Sequence, residues 1–156
     1  MKISKILWPT DFSHACDKIL PYVCDLAQDK GAEIEVLYVG QDLGAVAPWY
    51  GDASEEHIRD FNKWEREHSE KRLENVCQLD LGSCPAAKKK TVVGDPYQEI
   101  MNAIKQDKID MVVMATWGRG AEKRGERGFG GVASKVAANS PVPVMLINPG
   151  DLSSPG

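Results

Sequence analysis

Short apolar runs alternate with segments of helical periodicity along most of the chain. The runs are typical of β-strands, and they cover residues 5–9, 33–39, 89–93, 109–115 and 142–148. The run at 109–115 is apolar at almost every position, as expected of a central parallel strand with helices on both faces. Apolar residues in the intervening segments recur at helical spacing, most clearly at Tyr97, Ile100, Met101 and Ile104. Helices are expected after residue 13, over about 54–78, from about 97 and over 131–140.

Five strands that alternate with four helices predict an α/β fold. Right-handed crossovers place helices on both faces of one doubly wound, mostly parallel sheet. In such sheets, ligands bind at the carboxyl ends of the strands where the winding direction reverses. If the strand order is 3-2-1-4-5, the reversal lies between strands 1 and 4. The loop "PTDFS" (9–13) and the glycine-rich stretch after residue 115 then meet at one crevice.

Length and composition limit the architecture to a single domain. The chain has 156 residues, of which 42% are hydrophobic and 27% charged, enough for one substantial core. We expect a domain over 1–148 and a disordered tail over 149–156. No apolar stretch approaches the roughly 20 residues of a membrane-spanning helix, and the N-terminus lacks the apolar run of a signal peptide. A cytoplasmic location is therefore predicted, with no membrane partner.

Charge and cysteine content exclude two further classes. The net charge is −4, whereas dedicated nucleic-acid binders rely on clustered Lys and Arg. The four cysteines show no zinc spacing, and a reducing cytosol disfavours disulfides. We interpret them as small buried or half-buried side chains. The three histidines, His14, His57 and His68, are not spaced as metal ligands, so no metal site and no catalytic base is predicted.

The glycine-rich stretch "ATWGRGAEKRGERGFGGVAS" (115–134) allows two interpretations. Glycine lets backbone N–H groups approach an anion closely, and a helix that begins near Gly130 directs its N–H groups and dipole at that anion. Arg119 adds positive charge. The alternative is a mobile polar loop without a ligand. Neither GxGxxG nor GxxxxGK[ST] occurs, which disfavours a dehydrogenase fingerprint and a P-loop kinase.

Five stretches together resemble the universal stress protein family, in its order and over nearly the whole chain. They are "KILWPTDFS", "VLYVGQ", "VVGDPYQEI", "DMVVMATWGRG" and "GGVASKVAANSPVPVMLI". The resemblance, which is to UspA-like proteins, implies a Rossmann-like fold of the adenine nucleotide alpha hydrolase type with strand order 3-2-1-4-5. It also implies a cytosolic stress-response protein, dimerisation through the last strand and, in one branch, an ATP or AMP site.

The nucleotide-binding branch carries Gly, two residues, Gly, nine residues, then Gly and a Ser or Thr. Carried over to this chain, the pattern falls on Ala115, Gly118, Gly130 and Gly131, so the first glycine and the hydroxyl residue are both replaced. Eleven residues separate Gly118 from Gly130. Gly128 as the third glycine restores the nine-residue spacing, but it loses the register with the helix. We therefore prefer Gly130.

Other nucleotide positions of the family are retained. The resemblance places Pro9, Thr10 and Asp11 beside adenine and ribose, Val39 against the base, and Met114 beside the first glycine position. Asp11 is equally well interpreted as the cap or turn residue that starts the first helix. Val132, at the start of the last helix, fits the core better than a ligand contact.

Two functions remain open from the sequence. One is a regulatory protein that binds ATP or AMP, with magnesium when the ligand is ATP. The other is a dimeric stress-response interaction protein without nucleotide, whose protein partners are unknown. Hydrolysis of ATP is expected to be weak at most, since no general base or metal carboxylate accompanies the loop. The uncharged last strand, Val142 to Asn148, predicts a homodimer formed by edge pairing.

Overall fold

A single five-stranded sheet organises the protein. The computed structural model describes residues 1–46, 54–76, 87–119, 129–150 and 152. Ten helices and strands follow one another in these ranges: β1 Lys5–Thr10, α1 His14–Lys30, β2 Glu33–Gly40, α2 Leu43–Val46, α3 Glu55–Asn75, β3 Ala87–Val93, α4 Pro96–Gln106, β4 Met111–Ala115, α5 Gly131–Asn139 and β5 Val144–Ile147.

The strand order β3-β2-β1-β4-β5 confirms the expected topology. Every neighbouring pair of strands is parallel. β1 lies between β2 and β4, so the winding direction reverses there. The lysines at 88–90 lie on β3, an outer strand, where charged side chains discourage aggregation through the exposed edge.

Alternation along the strands builds two cores, one on each face of the sheet. Ile6 and Trp8 of β1 pack on the α1 and α3 side, together with Ile34 and Val36 of β2. Leu7, between them, belongs to the opposite cluster with residues of α4 and α5. Because helices cover both faces, β1 and β4 are buried almost throughout.

The first helix begins and ends at well-defined caps. Ser13 is the N-cap of α1, and its Oγ accepts a hydrogen bond from the N–H of Cys16 at 3.3 Å. Gly31 ends the helix in the left-handed conformation, with φ of 62°. Asp11 therefore is not the cap of this helix. Its carboxylate instead accepts from the N–H of Ser13, which makes it a turn residue.

Element bounds differ from the predictions at several ends. β4 and β5 are shorter than the apolar runs at 109–115 and 142–148, and α2 is a helical turn that the sequence did not predict. α3 is as long as expected over its described part but buries only Ser69 and Leu73. Trp64 of this helix is 54% exposed. Charged residues dominate α3, so little of its surface packs on the sheet.

Cys16 and Cys24 are buried, as the sequence predicted, but the argument against a disulfide is wrong for Cys24. Cys16 is free and buried, whereas Cys24 is disulfide-bonded. The compartment argument considered only the redox environment, while a disulfide also depends on how closely the fold brings two cysteines together. Cys77 and Cys84 lie outside the described residues, as do Trp49 and Tyr50 of the predicted loop.

Within the described ranges, no helix has the length and apolar character needed to cross a bilayer. At the C-terminus, Pro149 is buried and Leu152 packs against the α1-side core. The carbonyl of Pro149 also lies 3.5 Å from the ammonium of Lys18.

Candidate functional site

A cavity of about 340 Å³ opens at the carboxyl ends of β1 and β4. This is the point where the sheet reverses its winding direction, as the topology predicts for a ligand site. The cavity brings together all eleven residues that the sequence singled out: Pro9, Thr10, Asp11, Val39, Met114, Ala115, Gly118, Arg119, Gly130, Gly131 and Val132. Two loops far apart in the sequence therefore share one site.

One wall of the cavity is apolar. It combines Leu37 and Val39 from β2 with Met114 from β4 and Ile100 from α4. Leu37 and Ile100 are almost fully buried, at 1% and 2% exposure, so this wall continues directly into the core. Such a wall suits a flat, weakly polar group such as an aromatic ring.

Asp11 also lines the cavity, and both of its carboxylate oxygens accept hydrogen bonds. Oδ1 accepts from the N–H of Ser13 at 2.9 Å and from the thiol of Cys16 at 3.2 Å. Oδ2 accepts from the backbone N–H of Arg119 at 2.7 Å. Among the residues that line the cavity, Asp11 supplies the carboxylate.

These donors keep Asp11 charged despite its partial burial. Burial opposes ionisation, but the hydrogen bonds from Ser13, Arg119 and Cys16 together hold the pKa of Asp11 below its usual range. The same arrangement has the opposite effect on its neighbour. Burial, followed by the negative charge of Asp11, raises the pKa of the Cys16 thiol to about 12. The cavity thus contains one carboxylate and one neutral thiol.

Gly118 allows the carboxylate to sit where it does. A Cβ on Gly118 would collide with Oδ2 of Asp11, and it would lie 3.1 Å from Cγ. The carboxylate cannot turn away cheaply, because Ser13, Cys16 and Arg119 all hold it. Gly118 therefore meets a requirement for close approach, as a glycine in a ligand loop commonly does.

The turn after β1 is conformationally unusual. Phe12 has φ of 58°, a conformation that non-glycine residues rarely adopt. Its N–H donates to Oγ1 of Thr10 at 3.1 Å, and its ring stacks on Tyr38 with centroids 4.5 Å apart. The guanidinium of Arg72 lies over the same ring at 4.7 Å. These contacts fix the turn that presents Asp11 to the cavity.

The N-terminus of α5 also lines the cavity. Gly130 is the N-cap and makes no side-chain capping bond. Its own N–H donates to the carbonyl of Thr116 at 2.7 Å. Gly131, Val132 and Ala133 follow in the first turn and are lining residues too. Uncapped N–H groups and the positive end of the helix dipole suit an anion.

No group of His, Cys, Asp and Glu suited to hold a metal occurs in the described part of the chain. His14, His57 and His68 are all exposed.

A family model described as the universal stress protein family matches residues 2–148. The chain belongs to this family. One curated relative is universal stress protein MJ0577 of Methanocaldococcus jannaschii, 26% identical over 157 aligned positions that cover 92% of this chain and 93% of the relative. A solved structure of MJ0577 superposes with a TM-score of 0.80 at 25% identity, covering 95% of this chain and 97% of that one.

Two further solved structures share the universal stress protein fold. UspA from Lactobacillus plantarum is 24% identical with a TM-score of 0.77, and the match covers 95% of this chain and 99% of that one. A family protein from Arabidopsis thaliana, solved with AMP bound, is 20% identical with a TM-score of 0.59, and the match covers 93% of this chain and 91% of that one.

Sequence reasoning about this universal stress protein missed part of the cavity. The lining also includes Cys16, Leu37, Pro96, Ile100, Trp117 and Ala133. Leu37 belongs to the apolar run at 33–39 and Ile100 to the apolar residues at helical spacing from about 97. Both also lie in the core. A signal was available for Pro96, because "GDP" ends β3 and begins α4 at the carboxyl edge of the sheet.

Proposed function

We propose that this universal stress protein binds an adenine nucleotide, AMP or ATP, in the cavity at the carboxyl ends of β1 and β4, as part of a regulatory role in stress response. The observation that carries the proposal is the combination of three kinds of surface in one cavity. Apolar side chains, a charged carboxylate and an uncapped helix N-terminus all line it. These are the surroundings that a base, a ribose and a phosphate require.

The apolar wall suits adenine. Leu37, Val39, Met114 and Ile100 offer a surface against which a flat ring is removed from water. Val132 lines the cavity as well as packing against the α4-side core, so it serves both of the roles considered for it.

Asp11 suits the ribose. A carboxylate accepts hydrogen bonds from the vicinal hydroxyls of a ribose, as acidic residues do in dinucleotide-binding folds. Its lowered pKa keeps it an acceptor at neutral pH.

The N-terminus of α5 suits a phosphate. Gly131 is exposed and a Cβ there would meet nothing within 4 Å, so the approach to the first helical N–H groups is open. Arg119, at the rim, adds a cation. AMP bound to the Arabidopsis family member supports this ligand class, although at 20% identity that likeness extends to the fold alone.

Two residues depart from the pattern of the nucleotide-binding branch. Ala115 is 5% exposed and replaces a glycine at the end of β4. Gly131 replaces a Ser or Thr and offers only its backbone N–H. We infer that this chain is a member of that branch with fewer side-chain contacts to the phosphate. Its phosphate contacts come from backbone groups. Gly130 as the N-cap of α5 supports our choice of the third glycine.

The same two departures favour a second candidate, a dimeric interaction protein that binds no nucleotide. The two candidates differ in one measurable property. Calorimetric titration with AMP, and with ATP plus magnesium, is expected to show binding with one site per chain. No heat and no saturation at millimolar ligand would contradict nucleotide binding and leave the second candidate.

Both candidates include a homodimer through the last strand. The carbonyls of Pro143 and Ile147 accept from β4, so the backbone groups of Val144 and Leu146 face the free edge of the sheet. Such an edge pairs readily with a second copy. Sedimentation at micromolar concentration is expected to give a dimer, and the side chain of Met145, 38% exposed, offers a variant. Met145→Lys should shift the mass toward monomer more than Met145→Gln, whereas a monomeric wild type would contradict the proposal.

A cytoplasmic location stays a prediction from the sequence.

A further inference from the structure

Asp11 already accepts hydrogen bonds from the segment after β4, at one carboxylate oxygen and at its backbone carbonyl. Oδ2 accepts from the N–H of Arg119 at 2.7 Å, and the backbone carbonyl of Asp11 accepts from Nη2 of the same arginine at 2.8 Å. Both contacts cross 108 positions of sequence and join the turn after β1 to the segment after β4. Arg119 therefore ties the two loops of the cavity together.

This connection depends on a close fit. Gly118, immediately before Arg119, has no Cβ to keep the carboxylate away. Thr116, on the other side of Trp117, is anchored by its N–H to the carbonyl of Ile147 and by its carbonyl to the N–H of Gly130. The segment that presents Arg119 is thus fixed at its β4 end, and Asp11 holds it at the cavity.

A ribose would use the same carboxylate. Its hydroxyls need strong acceptors, and Asp11 supplies the carboxylate among the residues that line the cavity. Oδ1 is committed to Ser13 and Cys16, which stabilise the turn itself. Oδ2 instead accepts from Arg119, which does not belong to this turn. It is therefore the oxygen whose hydrogen bond a ligand can replace most easily.

We propose that Arg119 is an internal competitor for Asp11, so that a nucleoside which enters the cavity displaces Arg119 from the β1–α1 turn. The inference rests on the proposed function and concerns the regulation of that site. Arg119 is exposed, so its displacement changes the position of a cation at the protein surface. A partner that contacts this surface then distinguishes the occupied cavity from the empty one.

Adenosine is the sharpest probe, because it has no phosphate with which Arg119 could interact directly. Arg119→Ala removes the Nη2 contact, which helps to hold the Arg119 N–H on Oδ2. The variant should bind adenosine about threefold to tenfold more tightly than the wild type, the equivalent of one net hydrogen bond. Arg66→Ala is the matched control, since Arg66 is an exposed arginine of α3 that does not line the cavity. It should leave the affinity unchanged.

The backbone contact has its own readout, amide hydrogen exchange of Arg119 measured by NMR. Its N–H is expected to be protected in the free protein and to exchange at least about tenfold faster when adenosine is bound. Protection that persists in the adenosine complex would overturn the proposal.

The outcomes separate this inference from the proposed function. Adenosine binding that Arg119→Ala fails to strengthen would overturn the competition but leave the nucleotide site standing. Absence of adenosine and AMP binding in wild type, Arg119→Ala and Arg66→Ala alike would overturn the proposed function and the competition with it. Binding by Arg119→Ala where the wild type shows none would support both.

Discussion

Asp11 and Glu35 are acidic side chains at opposite ends of the same sheet, and their surroundings differ in kind. Asp11 follows the carboxyl end of β1 and accepts hydrogen bonds from three residues. Glu35 lies near the amino end of β2 with its side chain fully buried, and neither carboxyl oxygen has a hydrogen-bond partner among the described residues. The ammonium of Lys88 lies 3.9 Å from its Oε2.

The pKa values of the two groups move in opposite directions. Burial acts against the charged form in both. Donors outweigh burial at Asp11 and lower its pKa. At Glu35, burial and then the neighbouring Asp107 raise the pKa, and Lys88 and Lys5 only partly oppose them.

Lysines at the amino end of the sheet interact mainly with Asp107. Lys90 donates to its carboxylate at 2.8 Å and lowers its pKa, while the ammonium of Lys5 donates to its backbone carbonyl at 3.0 Å. The amino end is therefore closed by internal ion pairs. The carboxyl end keeps a charged acceptor and free N–H groups beside an open cavity, which is the arrangement that a ligand requires.

The largest predicted effect is a loss of AMP affinity at the carboxyl end of the sheet. Gly118→Val places a Cβ against Oδ2 of Asp11 and should lower AMP affinity by about tenfold or more, because a charged hydrogen-bonded acceptor is displaced. Ala138→Val, at an exposed position of α5 that does not line the cavity, is the control and should keep the wild-type affinity. Calorimetry decides the comparison, and equal affinity in Gly118→Val and the wild type would contradict the role given to Asp11.

A second prediction uses pH to separate the two carboxyl groups. The folded-state pKa of Glu35 lies above its ordinary 4.5, so its contribution to stability is present below that value and is lost as pH rises through the folded-state pKa. Glu35→Gln should remove this loss and raise the free energy of unfolding at neutral pH. Urea denaturation from about pH 4 to about pH 8 measures it.

Its control is Glu33→Gln, a partly exposed position of the same strand that removes the same charge. This variant should keep the pH dependence of the wild type. A slope unchanged by Glu35→Gln would show that the Glu35 carboxyl does not titrate as its burial requires.

Asp11 should show the opposite dependence. Its folded-state pKa lies below the ordinary 3.8, so its contribution to stability is present above that value and is lost as pH falls through the folded-state pKa. Asp11→Asn should be less stable than the wild type at neutral pH and should lack this part of the acid-induced loss. Acid titration followed by circular dichroism checks it, and parallel curves for the two proteins would contradict it.

The smallest predicted effect is a gain of AMP affinity at the carboxyl end of the sheet. Gly131→Ser adds a hydroxyl at the start of α5, where space is open. It should improve AMP affinity by about twofold to tenfold through one hydrogen bond, and it should not change adenosine affinity. A gain for adenosine as large as the gain for AMP would show that the N-terminus of α5 does not meet the phosphate.

Most of the architecture was predictable because it depends on strong periodic signals. The apolar run that became β4 is buried throughout, and a buried central strand is recognised by that pattern. The turn α2 and the true cap of α1 were not predictable in the same way. Asp11 and Ser13 are both good capping residues, and only the geometry shows that Ser13 caps while Asp11 forms the turn.

The site was predictable as a set of residues, but its internal contacts were not. Gly118 and Arg119 were singled out as phosphate-loop residues, yet their contacts in the structure are with Asp11. A sequence does not encode which of two loops far apart in the chain supplies the partner of a given carboxylate. The resemblance located the cavity, and the hydrogen bonds across it required coordinates.

The central claim is that the cavity holds a nucleoside beside Asp11 and a phosphate at the N-terminus of α5. An NMR titration of the ¹⁵N-labelled protein with AMP and, separately, with adenosine tests it most directly. Both ligands should shift the amides of Asp11 and Val39, and only AMP should strongly shift Gly131, Val132 and Ala133. Shifts that leave these five amides unchanged, or no saturable shifts at millimolar AMP, would contradict the claim.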